Sequence, residues 1–262
     1  MSLLLIQQRS LKQIVLLNRV LLFLGFAALF LFPFSIYFVA FDKLPVDWQS
    51  ANQISLGLYS LILFLWMMQN FGFSKSIIHL LLIFSCAFIL EVFGVQTGMP
   101  FGEYQYTREL GLHVWGAPII IGLAWYQVVV SSFGLVLFIR KNLNPLVLAF
   151  FAAFFILAFD IVLEPFATQV NQYWIWDSGT IPKENYISWL VFGFCLLLFI
   201  QSPEEKVVRK NSWIPVLVYF LPWSLFSLTN IVNGIWLPVL ISFVFIIVLY
   251  FLIIKMRVYQ ER

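Results

Sequence analysis

The sequence predicts an all-α, polytopic integral membrane bundle of about eight transmembrane helices, with both termini cytoplasmic. Three observations carry that prediction. Of 262 residues, 62% are hydrophobic and only 10% are charged. Runs such as 20–40 and 239–254 are too continuously apolar for a soluble core. The basic residues also separate onto two sides once eight spans are marked. The whole chain, 1–262, reads as one membrane unit.

The first span, 19–41, is longer than a signal-peptide core and lacks a convincing small-residue cleavage site, so it reads as a retained helix. Spans follow at 54–72, 77–95, 115–138 and 145–164. Those at 186–201 and 213–230 are near the lower limit of about 17 to 20 residues for a crossing helix, and Pro215 and Pro222 interrupt the second. The last covers 235–254. Insertion retains Lys and Arg on the cytoplasmic side. One side then holds Arg9, Lys12, Arg19, Lys75, Arg140, Lys141, Lys206, Arg209, Lys210, Lys255, Arg257 and Arg262, and the other only Lys43, Arg108 and Lys183. Deleting one span would scramble this twelve-to-three division. It supports a multi-pass protein of the cell (cytoplasmic) membrane, in contact with membrane lipids. The net charge of +3 is accounted for by the same rule and gives no reason for a nucleic-acid partner. Cys86 and Cys195 lie inside spans and form neither a disulfide framework nor a metal-ligand spacing.

Most connections are short, but those at about 96–114 and 165–185 are long, and both emerge opposite the basic termini. The segments 91–125 and 160–189 hold seven of the twelve acidic residues and five of the ten tryptophans. A weak echo links them: Glu91, Pro118 and Trp125 in the first, Glu164, Pro182 and Trp189 in the second. Three matched residue types leave a duplication open.

Asp160 and Glu164, four residues apart, share one face of the fifth helix, and Glu91 lies at a similar depth in the third. A carboxylate at a helix centre costs about 2.5–3.5 kcal/mol, so burial against protein or a water-filled cavity is expected. Carboxyl groups kept from water beside one another hold a proton more tightly, which suits proton donation. The plainer reading of each acid alone is an interfacial carboxylate paired with Arg108 or Lys183. Together, beside so many aromatic residues, the three favour a functional site. Glu103, flanked by Gly102 and Tyr104, is a further candidate; His113 is a candidate proton relay. Tyr104, Tyr106, Trp115, Trp174 and Trp176 fit either an interfacial aromatic belt or a substrate surface. Trp125 and Tyr126, about ten residues or 15 Å into the fourth span, are too deep for a belt. Their rings either pack the core or face a cavity and stabilise a cation.

The sequence has no Gly-rich phosphate loop, paired Asp-rich diphosphate motif, His cluster or dinucleotide fingerprint. Chemistry needing only a proton, water and an apolar substrate remains, with no metal or cofactor.

Glu91, Gly94, Thr97, Gly98, Phe101, Gly102, Tyr104, Tyr106, Leu110, Gly111, Pro118 and Leu123 to Trp125 form one motif. Asp160, Glu164, Pro165, Ala167, Trp174 to Trp176, Ile181, Pro182, Asn185 and Trp189 form a second. Together they cover about a third of the chain, and the sequence resembles the membrane carotenoid-biosynthesis family that includes carotenoid 1,2-hydratases and bisanhydrobacterioruberin hydratases. It departs from that family after Trp176, where a Gly-x-Tyr-Tyr-Gly run is replaced by Asp177, Ser178, Gly179, Thr180 and Ile181.

The resemblance implies hydration of the terminal C1=C2 bond of an acyclic carotenoid end group to a tertiary alcohol, with the carotenoid as lipophilic substrate and other enzymes of its pathway as candidate partners. Asp160 or Glu91 would protonate C2, Trp125 and Tyr126 would shield the cation at C1, and water held by Glu164 or Glu103 would attack. Tyr104, Tyr106, Trp115, Trp174, Trp176, Asn185 and Trp189 would bind the substrate. The alternatives are a carotenoid cyclase of the lycopene type using the same protonation, or a non-catalytic carotenoid-binding or transport subunit. The mechanism requires Glu91, Asp160, Glu164 and Trp125 to line one lipid-accessible cavity on the side opposite the termini.

Overall fold

The computed structural model describes residues 2–41, 51–140, 143–200 and 211–258, and the side chains of 15–41, 53–140, 143–200 and 211–255. Among the described residues there are eight helices: α1 (Ser2–Ser35), α2 (Ala51–Phe71), α3 (Phe73–Thr97), α4 (Ile121–Ile139), α5 (Pro145–Pro165), α6 (Lys183–Leu198), α7 (Trp213–Val232) and α8 (Trp236–Val258). The structure is an all-α polytopic bundle, in which seven helices are long and apolar enough to cross a membrane. Helix α6, with 16 residues, is the shortest. The basic side thus remains an expectation, since Lys43, Lys141, Lys206, Arg209, Lys210 and Arg262 lie outside the described residues.

Local chemistry fixes the helix ends. Gly72, at φ +82°, turns the chain from α2 directly into α3, and Gly98, at φ +71°, ends α3 with its N–H on the Gly94 carbonyl. Asn144 caps α5 by accepting from the Leu146 N–H, and Pro145 occupies the first turn, where no amide donor is needed. α5 then continues through a widened turn, Phe166–Val170, which begins the second long loop.

Helices α4 and α5 form the centre, 83% and 61% buried along their spans, whereas α1 and α8 are only 17% buried and present apolar side chains outward, as lipid requires. Small residues bring the inner helices together: a Cβ on Gly193 of α6 would stand 2.8 Å from Ile156 of α5. Polar side chains then pin α5 in place. Tyr219 donates to the Phe155 carbonyl at 2.8 Å, Ser242 to that of Ala158 at 2.6 Å and Asn230 to that of Val162 at 2.9 Å. These acceptors recur every three or four residues, so α7 and α8 grip one stripe of the helix that bears Asp160 and Glu164.

The fourth span begins later than expected. Residues 115–118 belong to a hairpin in which β2 (His113–Val114) pairs with β3 (Ala117–Pro118), and Ile120 caps α4. Its two turn residues, Trp115 and Gly116, have φ of +51° and +89°, the geometry a tight two-residue hairpin demands. Trp125 therefore lies only four residues, about 6 Å, inside α4.

The two long loops meet. β1 (Tyr104–Tyr106) runs antiparallel to β4 (Trp174–Trp176), pairing Tyr104 with Trp176 and Tyr106 with Trp174. Alternation along a strand sends these four rings to one face while Gln105 and Ile175 stay exposed on the other. Thr107 ties the ribbon to the second loop through the Gln172 and Tyr173 carbonyls. The result is an aromatic roof over the helix ends.

Candidate active site

Under that roof lies a cavity of about 340 Å³, walled mainly by apolar side chains from α1, α2, α4, α5 and α7. Tyr104, Tyr106, Trp174, Trp176 and Trp189 face it, together with two acids, Glu91 and Glu164, and the carboxamide of Asn185. Leu31 and Phe34 of α1 line it too and are exposed on the flank of the bundle, giving the chamber a lateral, apolar border.

Glu91 is 4% exposed and held by three donors. Oε2 accepts from the hydroxyls of Tyr104 and Tyr106, each at 2.7 Å, and Oε1 from the Trp125 indole N–H at 2.9 Å. Burial, and then the charge of Glu91, push the phenol pKa values of Tyr104 and Tyr106 upward, so both hydroxyls keep their protons and remain donors.

The second acidic centre is a bridged pair. Asn185 Nδ2 donates to Glu164 Oε1 at 2.8 Å and to Asp160 Oδ2 at 3.2 Å. The Trp176 indole donates to Glu164 Oε2 at 3.0 Å, while Asp160 Oδ1 is buried with no hydrogen-bond partner. The four-residue spacing does put both carboxyls on one helix face, and the partners of all three acids are phenols, indoles and a carboxamide rather than Arg108 or Lys183.

Several expectations need correction. Asp160 does not line the cavity; it lies behind Glu164, fully buried. Trp125 also stands one layer back, because its ring stacks on Trp189 at 4.0 Å between centroids and its N–H turns to Glu91. Tyr126, on the next helix position, points into the core and is absent from the cavity wall. The four residues required to share one cavity therefore do not all do so: Glu91 and Glu164 meet there, with Trp189 presenting the ring expected of Trp125. Glu103 is exposed on the loop, since the strand alternation that turns Tyr104 inward turns its neighbour outward. Trp115 sits at the hairpin tip, 72% exposed, away from the site. His113 approaches only from outside, with its ring 6.3 Å from that of Tyr106 and Nδ1 against the Gly111 carbonyl.

Sequence reasoning missed Gln127. It lies on α4, is 3% exposed and lines the cavity beside Ala124 and Val128. The signal was available, since an amide inside an apolar span asks for a partner.

No solved structure matches the chain. Among curated proteins, the bisanhydrobacterioruberin hydratase of Haloarcula japonica is 30% identical over 129 residues, covering 47% of this chain and 44% of the relative. The chain thus aligns with less than half of that relative's length. The family model described as carotenoid biosynthesis protein matches residues 52–249, which include both loops, the aromatic ribbon and every acid of the cavity. By that match, over most of its length, the chain belongs to the carotenoid biosynthesis protein family.

Proposed function

We propose that this protein is a carotenoid hydratase of the cell membrane, with both termini cytoplasmic, that adds water across the terminal C1=C2 bond of an acyclic end group. The observation that carries the reading is the pairing of two buried carboxyl centres, Glu91 and Glu164, on an otherwise apolar and aromatic chamber. The hydratase named among the relatives supports the same direction.

The chamber is at the small end of the about 300–1,000 Å³ typical of ligand pockets, which suits one end of a long polyene with the remainder in lipid along α1. Glu164 faces that end and gives its proton to C2, and Asp160, joined to it through Asn185, shares the proton of the pair. The positive charge at C1 is tertiary. The rings of Trp174, Trp176 and Trp189 surround it, each contact contributing about 2 kcal/mol where water is excluded. Glu91 serves as the base in its carboxylate form, which offers about four acceptor positions, of which Tyr104, Tyr106 and Trp125 occupy three. The fourth can take the proton that the attacking water releases. Water addition changes no electron count, so this chain's acid and base groups account for every bond made and broken.

The strongly apolar wall also favours a second reading, in which an internal double bond captures the cation and a ring closes. Expression in a host that makes lycopene separates the readings by product mass. Hydration adds one water per modified end, cyclisation gives an isomer, and a non-catalytic binding or transport subunit leaves the pigment unchanged. Recovery of only isomeric or unchanged pigment would overturn the proposal.

A further inference from the structure

Gln127 lines the cavity and has no role in the reaction as described so far. Its neighbours along the α4 wall, Ile121, Ala124 and Val128, are apolar and follow the three-to-four-residue spacing of a single helix face. Facing walls contribute Phe159, Leu163 and Pro222. Into this surface α4 places a carboxamide that is 3% exposed and whose Oε1 is buried without a hydrogen-bond partner. A buried amide oxygen is almost always bonded in folded proteins, so an unpartnered one on a cavity wall points to a ligand that completes it. The amide contrasts with Asn185 on the same cavity, which is committed to Asp160 and Glu164.

We infer that Gln127 is the oxygen site of the cavity: it holds the attacking water and afterwards the tertiary hydroxyl of the product. The inference rests on the hydration reading and adds a residue that decides the fate of the cation. The Glu164 O–H bond breaks as C2–H forms from the C1=C2 electron pair. A lone pair of the water on Gln127 then makes the C1–O bond, and the water's proton passes to the Glu91 carboxylate. One water is added, nothing is oxidised or reduced, and proton exchange with the surroundings returns both carboxyls to their starting states. With the oxygen site removed, the cation has no nucleophile and can only return a proton or close on itself.

The test uses the full-length protein in lipid vesicles, given preformed lycopene in deuterated water, with amounts normalised to folded protein from size-exclusion chromatography. Gln127→Met keeps the length of the side chain and deletes its polar atoms, and Gln127→Asn keeps the amide. The Met variant is expected to lower hydrated product by about tenfold or more while recovered lycopene still gains deuterium at its ends at the wild-type level, and the Asn variant to regain part of the hydration. Hydration by the Met variant within about twofold of wild type would overturn the inference, as would joint loss of hydration and deuterium uptake, which marks a structural role. A wild-type protein that neither hydrates lycopene nor exchanges deuterium would instead remove the hydration reading beneath it.

Discussion

Trp125 and Trp189 lie face to face, with ring centroids 4.0 Å apart and 15° between their planes. Each belongs to one of two similar segments, α3–β1–α4 and α5–β4–α6, and each segment brings one acidic centre to the cavity. Glu91 takes donors from β1 and Glu164 from β4, and the two strands pair antiparallel. Trp125 and Trp189 thus meet in one stack, and Glu91 and Glu164 on one cavity.

Trp125→Phe separates the two jobs of that ring. Phe can keep the stack but cannot donate to Glu91, so one of its three donors is lost. The variant should unfold at a lower temperature, losing about 1.5–3 kcal/mol of stability for a hydrogen bond to a charged group, and form product more slowly. Thermal unfolding in detergent beside product yield checks both.

Asn185→Leu removes the bridge between Asp160 and Glu164 while roughly keeping volume. Product formation should fall by about 100-fold or more, with the folded fraction close to wild type, because an acid pair without its shared donor no longer presents Glu164 in a fixed orientation. Chromatographic yield and pigment mass measured on one preparation test this.

The helices were legible because lipid imposes them: an apolar run of sufficient length has no other way to satisfy its backbone. The acids stood out for the same reason. The register of β1 against β4 was not legible, since three-residue strands from loops 70 residues apart in the chain carry no local pairing signal. That register decides that Tyr104 turns in and Glu103 out. Trp115 and Pro118 were absorbed into an apolar run whose hydropathy hid a hairpin made by positive φ at Trp115 and Gly116. Asp160 and Glu164 could be placed on one face, but which of them reaches the cavity depends on how α5 is rotated by its grip from Tyr219, Ser242 and Asn230.

Asn230→Leu tests that grip. Losing the donor to the Val162 carbonyl should cost about 0.6–2 kcal/mol of stability, the range for a polar contact between membrane helices. Product formation should drop further than Ser242→Ala lowers it, because Val162 lies between Asp160 and Glu164 whereas Ala158 precedes them. Equal effects on activity would argue against rotation of α5 as the cause.

The Tyr104 and Tyr106 phenols have pKa values raised by burial and by Glu91, so the folded state holds their protons more tightly than the unfolded chain does. Their contribution to stability is complete below the unfolded phenol value of about 10 and is lost as pH rises above it toward the folded values. Melting temperature should therefore carry no phenol-linked loss up to about pH 10 and decline beyond it, and the double variant Tyr104→Phe, Tyr106→Phe should decline less steeply.

The central claim is that Glu164 gives the proton that commits an acyclic carotenoid end to water addition. It is tested most directly by incubating lycopene with the vesicle-reconstituted protein in ¹⁸O-labelled water and measuring pigment mass for wild type and Glu164→Gln. The account predicts one labelled oxygen per modified end for wild type and none for Glu164→Gln at equal folded amount. Labelled alcohol formed by Glu164→Gln at the wild-type rate, or a wild-type product without labelled oxygen, would contradict it.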